Sequence, residues 1–415
     1  MSNLLNVDEA IKRILEMIEP LSAETIHLTD SLGRILAEDI VSNTDLPPFD
    51  NSAMDGFAIR SEDSGDGQIL DVVMDIPAGM SPKETLKKGQ AARIMTGAPV
   101  PDGADAVIPV EDTDADFSDL DNNAMPETVT VFKKMAIGSA IRKQGENIRE
   151  GQQILSSGTG IGAAEIGMLA SIGRANIKVI RQARIAIIGS GDELVDIEQT
   201  PKAGQIRDSN SYALAALVQE DGAIPIRQEI AKDTPESIRA MFQEALAQKP
   251  DLIVSSAGVS VGAADYVRAI LDEIGEIGFW RINLRPGKPL AFGNISGIPF
   301  FGLPGNPVSA MITYLILVRP ALLKLSNRDN SFPKIKVKLG EKMSSDGRRT
   351  FARVQLRYEN DAWVAYETGT QSSGAHMSMV LADGLLIIPE NIGEVPIGTE
   401  LEVQLLKPLP IEKGQ

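Results

Sequence analysis

The pattern of apolar and polar positions predicts that the chain begins with one amphipathic helix. Over residues 6–19 apolar side chains recur at intervals that place them on one helical face. Asn6 and Glu9 at its start are suited to cap it. The apolar face comprises Val7, Ile11, Ile14, Leu15 and Ile18.

Short alternating segments broken by glycine and proline follow, and they predict a small β domain over residues 47–140. A proline-rich crossing, SNTDLPPFDNSAMDGFAIR (42–60), leads into this domain, and Pro47 and Pro48 exclude a helix there. A loop this rich in polar turn residues favours a functional role, with a tight connection as the equally weighted alternative. Beyond it the pattern becomes mixed over 141–182, with a short helix expected over 162–173.

Strands that alternate with helices predict an α/β domain with a parallel sheet over residues 183–325. Its buried strands include DLIVSS (251–256), followed by the small-residue loop AGVSVGAAD, and IPFFGL (298–303), followed by the loop PGNP. Asn306 and Pro307 are suited to the N-cap and first position of the next helix, because proline lacks the donor that this position leaves unused. Pro320 is expected to end or kink that helix. Ligands of open α/β sheets bind at the carboxyl edge, where these loops lie.

The remaining residues, 326–415, predict a small β barrel or sandwich. Its expected strands are KIKVKL, TFARVQLRYE, AWVAYE, GLLIIPE and TELEVQLL, with turn residues between them.

Composition narrows the class of protein. A chain of 415 residues is long enough for more than one domain, and 43% hydrophobic residues is ordinary for a globular protein. With no cysteine and two histidines, His27 and His376, disulfides and thiolate metal sites are excluded and a histidine-rich zinc site is disfavoured. No signal peptide or membrane span is expected from the N-terminus or the apolar runs, which favours the cytoplasm.

A net charge of −17 argues against nucleic-acid binding but leaves room for a small anionic ligand. Exposed charges farther apart than roughly 8 Å are largely screened at physiological salt, so a local basic cluster decides such binding. Arg281, Arg285 and Lys288 form such a cluster in the sequence WRINLRPGKP. The two arginines can hold an oxyanion bidentately, which a lysine cannot.

Carboxylates at loop positions are the candidate metal ligands. They are Asp55, Asp192, Glu193, Asp233 and Asp265. Any one of them is more often a cap or a turn former. Glu193 and Asp265 stand out because both follow buried strands at the expected carboxyl edge of the sheet. Carboxylates beside an anion site are what Mg²⁺ requires when it bridges protein and substrate phosphate.

Three common enzyme classes lack their sequence signatures. GSGDEL (189–194) matches only the first two glycines of the dinucleotide fingerprint, and the P-loop pattern is absent from the sequence. Two histidines far apart give a Ser-His-Asp triad little support.

Six motifs, in this order, resemble one family over nearly the whole chain. They are PPFDNSAMDGFA (47–58), RIMTGAPVPDGADAVIPVE (93–111), IIGSGDELV (187–195), SSAGVSVGAADY (255–266), LRPGKPLAFG (284–293) and GLPGNPVSA (302–310). The chain is similar to the molybdopterin molybdenumtransferase family, which includes bacterial MoeA proteins and the E domain of gephyrin.

The resemblance implies an enzyme that inserts molybdate into adenylylated molybdopterin and releases AMP and molybdenum cofactor, with Mg²⁺ as the metal. It implies an elongated homodimer whose active site is shared between subunits, so that Asp55 is supplied in trans. It also implies four domains, which we place as follows: an elongated mixed linking domain (1–46 and 141–182), the small β domain (47–140), a MogA-like molybdopterin-binding α/β domain (183–325) and a C-terminal β-barrel (326–415).

The resemblance also implies roles for single residues. Asp55, Glu193 and Asp265 match the family's functional acids and are the expected catalytic residues and metal ligands. The expected substrate-binding residues are Thr96, Asp233, Ser260, Arg281, Arg285, Lys288, Pro304, Pro307, Arg353 and Ser373. Two positions depart from the family pattern: Arg281 and Arg285 stand where some members have lysine, and Asn147 stands where many have aspartate.

Two other functions stay open at this point. A molybdopterin adenylyltransferase would resemble only residues 183–325, and the N-terminal motifs therefore disfavour it. A scaffold without catalysis, a role that gephyrin also has, is disfavoured by Asp55, Glu193, Asp265 and Lys288. The expected partners are small anionic substrates, the adenylyltransferase that supplies them and molybdoenzyme maturation factors, with no nucleic acid and no membrane. The sequence does not separate molybdate from tungstate.

Overall fold

The computed structural model describes residues 4–117, 125–256, 269–270, 273, 275–329 and 332–409. The chain divides into two compact units. The larger unit comprises residues 1–37, 160–162 and 176–415, and the smaller unit comprises residues 38–159 and 163–175.

The smaller unit is built on a five-stranded sheet, as the alternating pattern predicts. The strands lie in the order Ala106–Pro109, Gly56–Ile59, Gln90–Ile94, Gln68–Ile76 and Thr128–Val131. Along Gln68–Ile76 every second side chain from Leu70 is buried, which is the signature of a strand with one face on the core. A Cβ on Gly56 would lie 2.0 Å from the Ile108 carbonyl oxygen, so only glycine fits this crossing point.

Among its described residues the smaller unit also has two short strand pairs and an α-helix. The pairs are Asn51–Ser52 with Ile141–Arg142 and Ile40–Val41 with Gln153–Leu155, and the helix is Ala163–Ser171. The helix lies within the range that the sequence predicts.

The larger unit carries the α/β sheet, whose six strands lie in the order Ile224–Arg227, Arg184–Gly189, Leu252–Ser256, Ile298–Leu303, Pro289–Ile295 and Gly275–Arg281. The two faces of the sheet belong to two different hydrophobic clusters. Ile187 and Val254 pack in one cluster, and Ile188 and Ile253 pack in the other. The helices are Asn210–Glu220, Pro235–Ala247 and the segments between Pro307 and Leu325. The prediction of an α/β domain is confirmed.

The sheet is parallel across its first four strands and ends in two antiparallel strands, which the alternation of strands and helices does not predict. The cause is a two-residue turn between Pro289–Ile295 and Ile298–Leu303. Ser296 and Gly297 have φ angles of 52° and 88°, the geometry of a tight hairpin turn.

The helix after the PGNP loop begins as predicted, with Asn306 at the N-cap and Pro307 in the first turn. Of the two outcomes expected at Pro320, an end of the helix is not observed, because helical structure continues to Leu325. A kink at this proline stays a prediction. A π-helical segment, Tyr314–Val318, precedes the proline and places it in the first turn of the next α-helical segment, Arg319–Leu325. There the missing N–H costs little.

By length and composition Pro307–Leu325 could cross a membrane, but 83% of its apolar window is buried inside the protein. Its side chains belong to the same core cluster as the α/β strands, as expected of a central helix.

Five strands near the C-terminus close into a barrel, and this prediction is confirmed. They are Lys334–Leu339, Arg349–Glu359, Ala362–Glu367, Gly384–Ile388 and Glu400–Leu405. The barrel closes because Arg349–Glu359 pairs with both Ala362–Glu367 and Gly384–Ile388. A short strand of the α/β domain, Leu284–Arg285, pairs in parallel with Arg349 and Thr350. That pairing brings the basic segment against the barrel.

The rest of the larger unit is made of short elements. The N-terminal helix is Val7–Glu16, and the Asn6 side chain accepts hydrogen bonds from Asp8 and Glu9 N–H groups, as predicted for a cap. The strand pairs are Ala23–His27 with Asn176–Ile180, Leu194–Val195 with Ile206–Arg207 and Met343–Ser344 with Glu394–Val395, and the last helix is Met377–Leu381.

Candidate active site

A pocket of about 610 Å³ lies within the larger unit, between the carboxyl edge of the α/β sheet and the barrel. The α/β domain lines it with Glu193, Ile206, the segment 285–289, the segment 304–306 and Ser309. The barrel side lines it with Ser344, Arg348, Thr350, Ala352, Arg353, Glu367, Gln371 and Ser373. Four of these lining residues are basic and two are acidic, so the pocket suits an anion.

Glu193 follows the strand Arg184–Gly189, and its side-chain carboxylate lies next to Gly191. A Cβ on Gly191 would lie 2.7 Å from Glu193 Oε2, which is closer than atoms approach without a shift. The backbone of this loop is anchored, since Gly191 N–H donates to the Ala231 carbonyl at 3.1 Å and Ile206 N–H donates to the Glu193 carbonyl at 2.8 Å. A side chain at position 191 would therefore force this exposed carboxylate to shift.

Asp233 lies on the neighbouring loop, before the helix Pro235–Ala247. Its N–H donates to Asp192 Oδ1 at 3.3 Å, and Thr234 caps the helix as its sequence predicts. Asp233 Oδ1 is buried and has no hydrogen-bond partner among the described residues. A buried carboxylate oxygen of this kind is available to a ligand donor or a cation. Asp233 itself is not one of the residues that line the pocket.

The PGNP loop is tied to the barrel. Asn306 Nδ2 donates to Ser373 Oγ at 3.0 Å, and the Val308 N–H donates to the Ser373 carbonyl at 3.1 Å. The Asn306 side chain thus binds another segment of the chain instead of capping its own helix. On the other side, Asn210 Nδ2 donates to the Gly305 carbonyl at 2.8 Å. Pro304 and Ser373 are brought together by these bonds.

Arg353 is almost fully buried, with 1% of its surface exposed. Its Nη2 donates to the carbonyl oxygens of Thr370 at 3.3 Å and Ser372 at 3.0 Å, and its Nε donates to Ser378 Oγ at 3.1 Å. Burial lowers the pKa of Arg353 to about 10, and the nearby Arg285 acts in the same direction. Arg353 therefore holds the segment that leads to Ser373 while keeping a positive charge at neutral pH.

Gln371 completes this arrangement on the barrel side. The Arg353 N–H donates to Gln371 Oε1 at 3.0 Å, and Gln371 Nε2 donates to the Arg353 carbonyl at 2.9 Å. These two bonds tie the Gln371 side chain to the backbone of Arg353. Gln371 was not a predicted site residue, and its sequence neighbourhood gives no signal for it.

Two residues of the basic segment, Arg285 and Lys288, line the pocket as the basic cluster suggests. Arg285 is half-buried and Lys288 is exposed. Between them Gly287 has a φ of +120°, and a Cβ there would lie 2.5 Å from Thr313 Oγ1. Only glycine lets the segment run this close to the central helix.

Arg348 and Glu367 are the two charged lining residues that the sequence reading missed. Arg348 Nη1 donates to the Leu284 carbonyl at 2.9 Å, and its Nε donates to Asp346 Oδ2 at 3.0 Å. The pKa of Asp346 is lowered mainly by its hydrogen bond to Arg348. Burial raises the pKa of Glu367, and the nearby Glu341 carboxylate raises it further.

The remaining predicted residues lie elsewhere. Asp55 and Thr96 belong to the smaller unit, where Thr96 N–H and Oγ1 donate to Asp55 Oδ1 at 2.6 and 2.7 Å. Arg281 is exposed on the strand Gly275–Arg281, and Pro307 starts its helix; neither lines the pocket. Ser260 and Asp265 lie outside the described residues. The roles assigned to all these residues stay predictions.

The described residues contain no group of three or more His, Cys, Asp or Glu side chains that could hold a metal ion. That does not conflict with Mg²⁺, which is commonly held by one or two carboxylates together with substrate phosphates. Glu193, which lines a pocket suited to phosphate, fits that donor set.

The fold and the pocket define a multidomain protein with an anion site between an α/β domain and a β-barrel. Residues 5–173 match the MoeA N-terminal region (domain I and II), residues 186–324 match the probable molybdopterin binding domain, and residues 336–406 match the MoeA C-terminal region (domain IV).

Relatives that match nearly the whole of this chain support the same family. The chain is 38% identical over 401 residues to a molybdopterin molybdenumtransferase of Nostoc sp., covering 94% of this chain and 89% of the relative. A gephyrin of Dictyostelium discoideum is 33% identical, over 98% of this chain and 63% of gephyrin. The crystal structure of the molybdopterin biosynthesis MoeA protein from Pyrococcus horikosii superposes with a TM-score of 0.82 at 34% identity, covering 98% of this chain and 100% of that one. The chain belongs to the molybdopterin molybdenumtransferase family of enzymes.

Proposed function

We propose that this enzyme inserts molybdate into adenylylated molybdopterin, with Mg²⁺-dependent release of AMP and formation of molybdenum cofactor. The observation that carries the proposal is the pocket in which four basic side chains and Glu193 meet. Molybdate, the pterin phosphate and the adenylate are all anions, and a charge-assisted hydrogen bond to each is worth roughly 1.5–3 kcal/mol.

Different basic residues of the pocket bind different anionic groups of the substrates. Arg285 and Lys288 bind phosphate oxygens, and Arg353 with Ser373 binds the molybdate oxyanion in the part of the pocket formed by the barrel. Asp233, Ser260, Arg281, Pro304, Pro307 and Thr96 complete the substrate site by their match to the family motifs. The half-buried position of Arg285 strengthens its contribution, since screening by salt is weaker there.

Hydrolysis of the phosphoanhydride breaks one P–O bond, and water supplies the new oxygen and the protons. Such a reaction depends on positioning and charge stabilisation and needs no histidine. Glu193, with Asp55 and Asp265, would hold Mg²⁺, which when bound neutralises charge that develops on the phosphate oxygens. The Glu193 carboxylate, which lies next to Gly191 at the edge of the pocket, would be the ligand from this part of the α/β domain.

The proposal includes a homodimer with Asp55 supplied by the partner subunit and a cytoplasmic location. It also includes handover of substrate from molybdopterin adenylyltransferase and of product to molybdoenzyme maturation factors. The matches over the N-terminal and C-terminal regions disfavour an adenylyltransferase, since that activity would need only the molybdopterin-binding domain. A scaffold without catalysis would not need a cationic pocket with Glu193 in its lining. Tungstate would fit the same oxyanion site.

The test is AMP release from adenylylated molybdopterin by the purified protein, measured with and without molybdate in the presence of Mg²⁺. Release that depends on molybdate supports the proposal. A protein that releases no AMP under either condition, or that makes adenylylated molybdopterin from molybdopterin and ATP, would overturn it.

A further inference from the structure

Glu367 is a charged pocket residue to which the proposed reaction gives no role. It ends the barrel strand Ala362–Glu367 and lines the pocket together with Arg285 and Arg353. Its N–H donates to Glu341 Oε1 at 2.6 Å, which places a second carboxylate beside it. Glu341 is not a lining residue, so Glu367 is the barrel carboxylate that an anion in the pocket would meet.

Burial and three charged groups act on the pKa of Glu367. Burial and the Glu341 carboxylate raise its pKa above the ordinary value of 4.5, and Arg353 and Arg285 oppose the shift. The other ionisable side chains that line the same pocket are Lys288, Arg348 and Glu193. When Glu367 is ionised, its carboxylate is a negative charge within the pocket. It therefore interacts with the same basic side chains that a bound oxyanion needs.

A dianionic oxyanion beside Glu367 meets a like charge, and a protonated carboxyl removes that repulsion. Protonation also releases Arg353 and Arg285 from an internal negative charge. The neutral carboxyl would in addition offer one O–H donor to an oxyanion oxygen.

We propose that Glu367 sets the oxyanion affinity of this pocket by taking up a proton when molybdate, or an oxyanion of the same charge, binds. This inference rests on the proposed function, because the oxyanion in question is the substrate of that reaction. Glu367 sets the affinity for the oxyanion, and the phosphoanhydride chemistry does not pass through it.

The protonation of Glu367 determines how oxyanion affinity depends on pH. Below the pKa of Glu367 the carboxyl is neutral and the pocket keeps its full positive charge. Above that pKa the carboxylate repels the oxyanion, so affinity falls as the pH rises through it. Binding of a dianion raises the pKa of Glu367 still further, and the protein takes up protons from the buffer on binding.

The experiment is calorimetric titration of the full chain with sodium molybdate at one pH near neutrality, in two buffers with different ionisation enthalpies. The difference in heat gives the number of protons taken up. The variants are Glu367→Gln and, as a matched control, Glu400→Gln, which removes an exposed barrel carboxylate paired with Lys336. Wild type and the control should take up protons; Glu367→Gln should take up none and bind molybdate about tenfold more tightly.

Equal proton uptake in wild type and Glu367→Gln would overturn the inference. Wild type that binds molybdate without taking up protons, or that does not bind molybdate, would overturn it as well. If Glu367→Gln does not fold, Glu341→Gln replaces it: loss of the Glu341 charge should lower the pKa of Glu367 and reduce proton uptake, and unchanged uptake would contradict the proposal. AMP release is measured on the same preparations. A wild type with molybdate-dependent AMP release but no proton uptake separates failure of this inference from failure of the proposed function.

Discussion

Asn306 at the start of the central helix donates its side-chain amide to the hydroxyl of Ser373 at 3.0 Å, across 67 positions of sequence. The bond joins a loop at the carboxyl edge of the α/β sheet to a loop of the barrel. Because both loops line the pocket, this one contact helps to fix the distance between its two walls.

Replacing Asn306 by alanine should therefore affect substrate binding more than stability. The bond is exposed, so its loss should cost about 1 kcal/mol of unfolding free energy or less. KM for adenylylated molybdopterin should rise several-fold as Ser373 loses its fixed position. Steady-state kinetics and thermal melting measure the two effects, and Asn176→Ala, at an exposed strand position, is the control. Unchanged KM in the Asn306 variant would remove this contact from the site.

A methyl group on Gly191 should displace the Glu193 carboxylate. The added Cβ would lie 2.7 Å from Glu193 Oε2, and the anchored backbone leaves the side chain to move. Since misplacement of a catalytic group by about 1 Å can lower rates roughly 100-fold, turnover in Gly191→Ala should fall by at least about tenfold.

The matched control is Gly167→Ala, in the helix Ala163–Ser171, where a Cβ meets nothing within 4 Å. This change should raise stability by about 0.5–1 kcal/mol and leave turnover unchanged, because alanine is the better helix former. Normal turnover in Gly191→Ala would mean that the position of Glu193 does not matter to the reaction.

Much of the fold could be predicted because local signals and packing agree. Asn306 and Pro307 mark a helix start, Gly222 follows the helix Asn210–Glu220 with a φ of +82°, and the barrel strands are apolar-rich segments separated by turn residues. Pro320 shows the limit, since helical structure continues past it to Leu325 after a π-helical segment, Tyr314–Val318, that the proline signal alone does not predict.

The pocket could be predicted only in part. The basic segment and Glu193 were visible because they follow strands or cluster in sequence. Arg348 and Glu367 were not. Arg349, next to Arg348, pairs with the distant Leu284, and Glu367 pairs with Val354 within the hairpin of two consecutive barrel strands. The sequence predicts those strands, but no local pattern encodes the pairing of Leu284 with Arg349 that sets the barrel against the basic segment.

Removing either basic side chain of the segment 285–288 should weaken substrate binding and leave the fold intact. Arg285→Ala and Lys288→Ala should each lower affinity by roughly 10- to 100-fold, the equivalent of one charge-assisted bond, with the larger effect at the half-buried arginine. Equilibrium titration with adenylylated molybdopterin measures this. Lys336→Ala removes an exposed barrel lysine that is paired with Glu400 and is the control. Wild-type affinity in both pocket variants would exclude the segment from the site.

Sharing of the active site between subunits predicts complementation between two inactive variants. If Asp55 acts in trans, a mixed dimer of Asp55→Ala and Glu193→Ala has one site with both defects and one intact site. Random pairing makes about half of the dimers mixed, so refolding the two proteins together should recover roughly a quarter of wild-type activity. Mixed dimers verified by mass that stay inactive would mean that Asp55 acts in its own subunit or has no part in the reaction.

In the proposed mechanism, a cationic pocket with Glu193 at its edge couples molybdate insertion to AMP release. Single-turnover AMP release from adenylylated molybdopterin, with and without molybdate, by wild type and Glu193→Gln tests this coupling. We expect fast, molybdate-dependent release by wild type. We expect a strong loss of rate in Glu193→Gln with little change in substrate affinity, and extra Mg²⁺ should restore the rate poorly because an amide is a weak ligand for this ion. Release by wild type that is indifferent to molybdate, or a Glu193→Gln protein as fast as wild type, would contradict it.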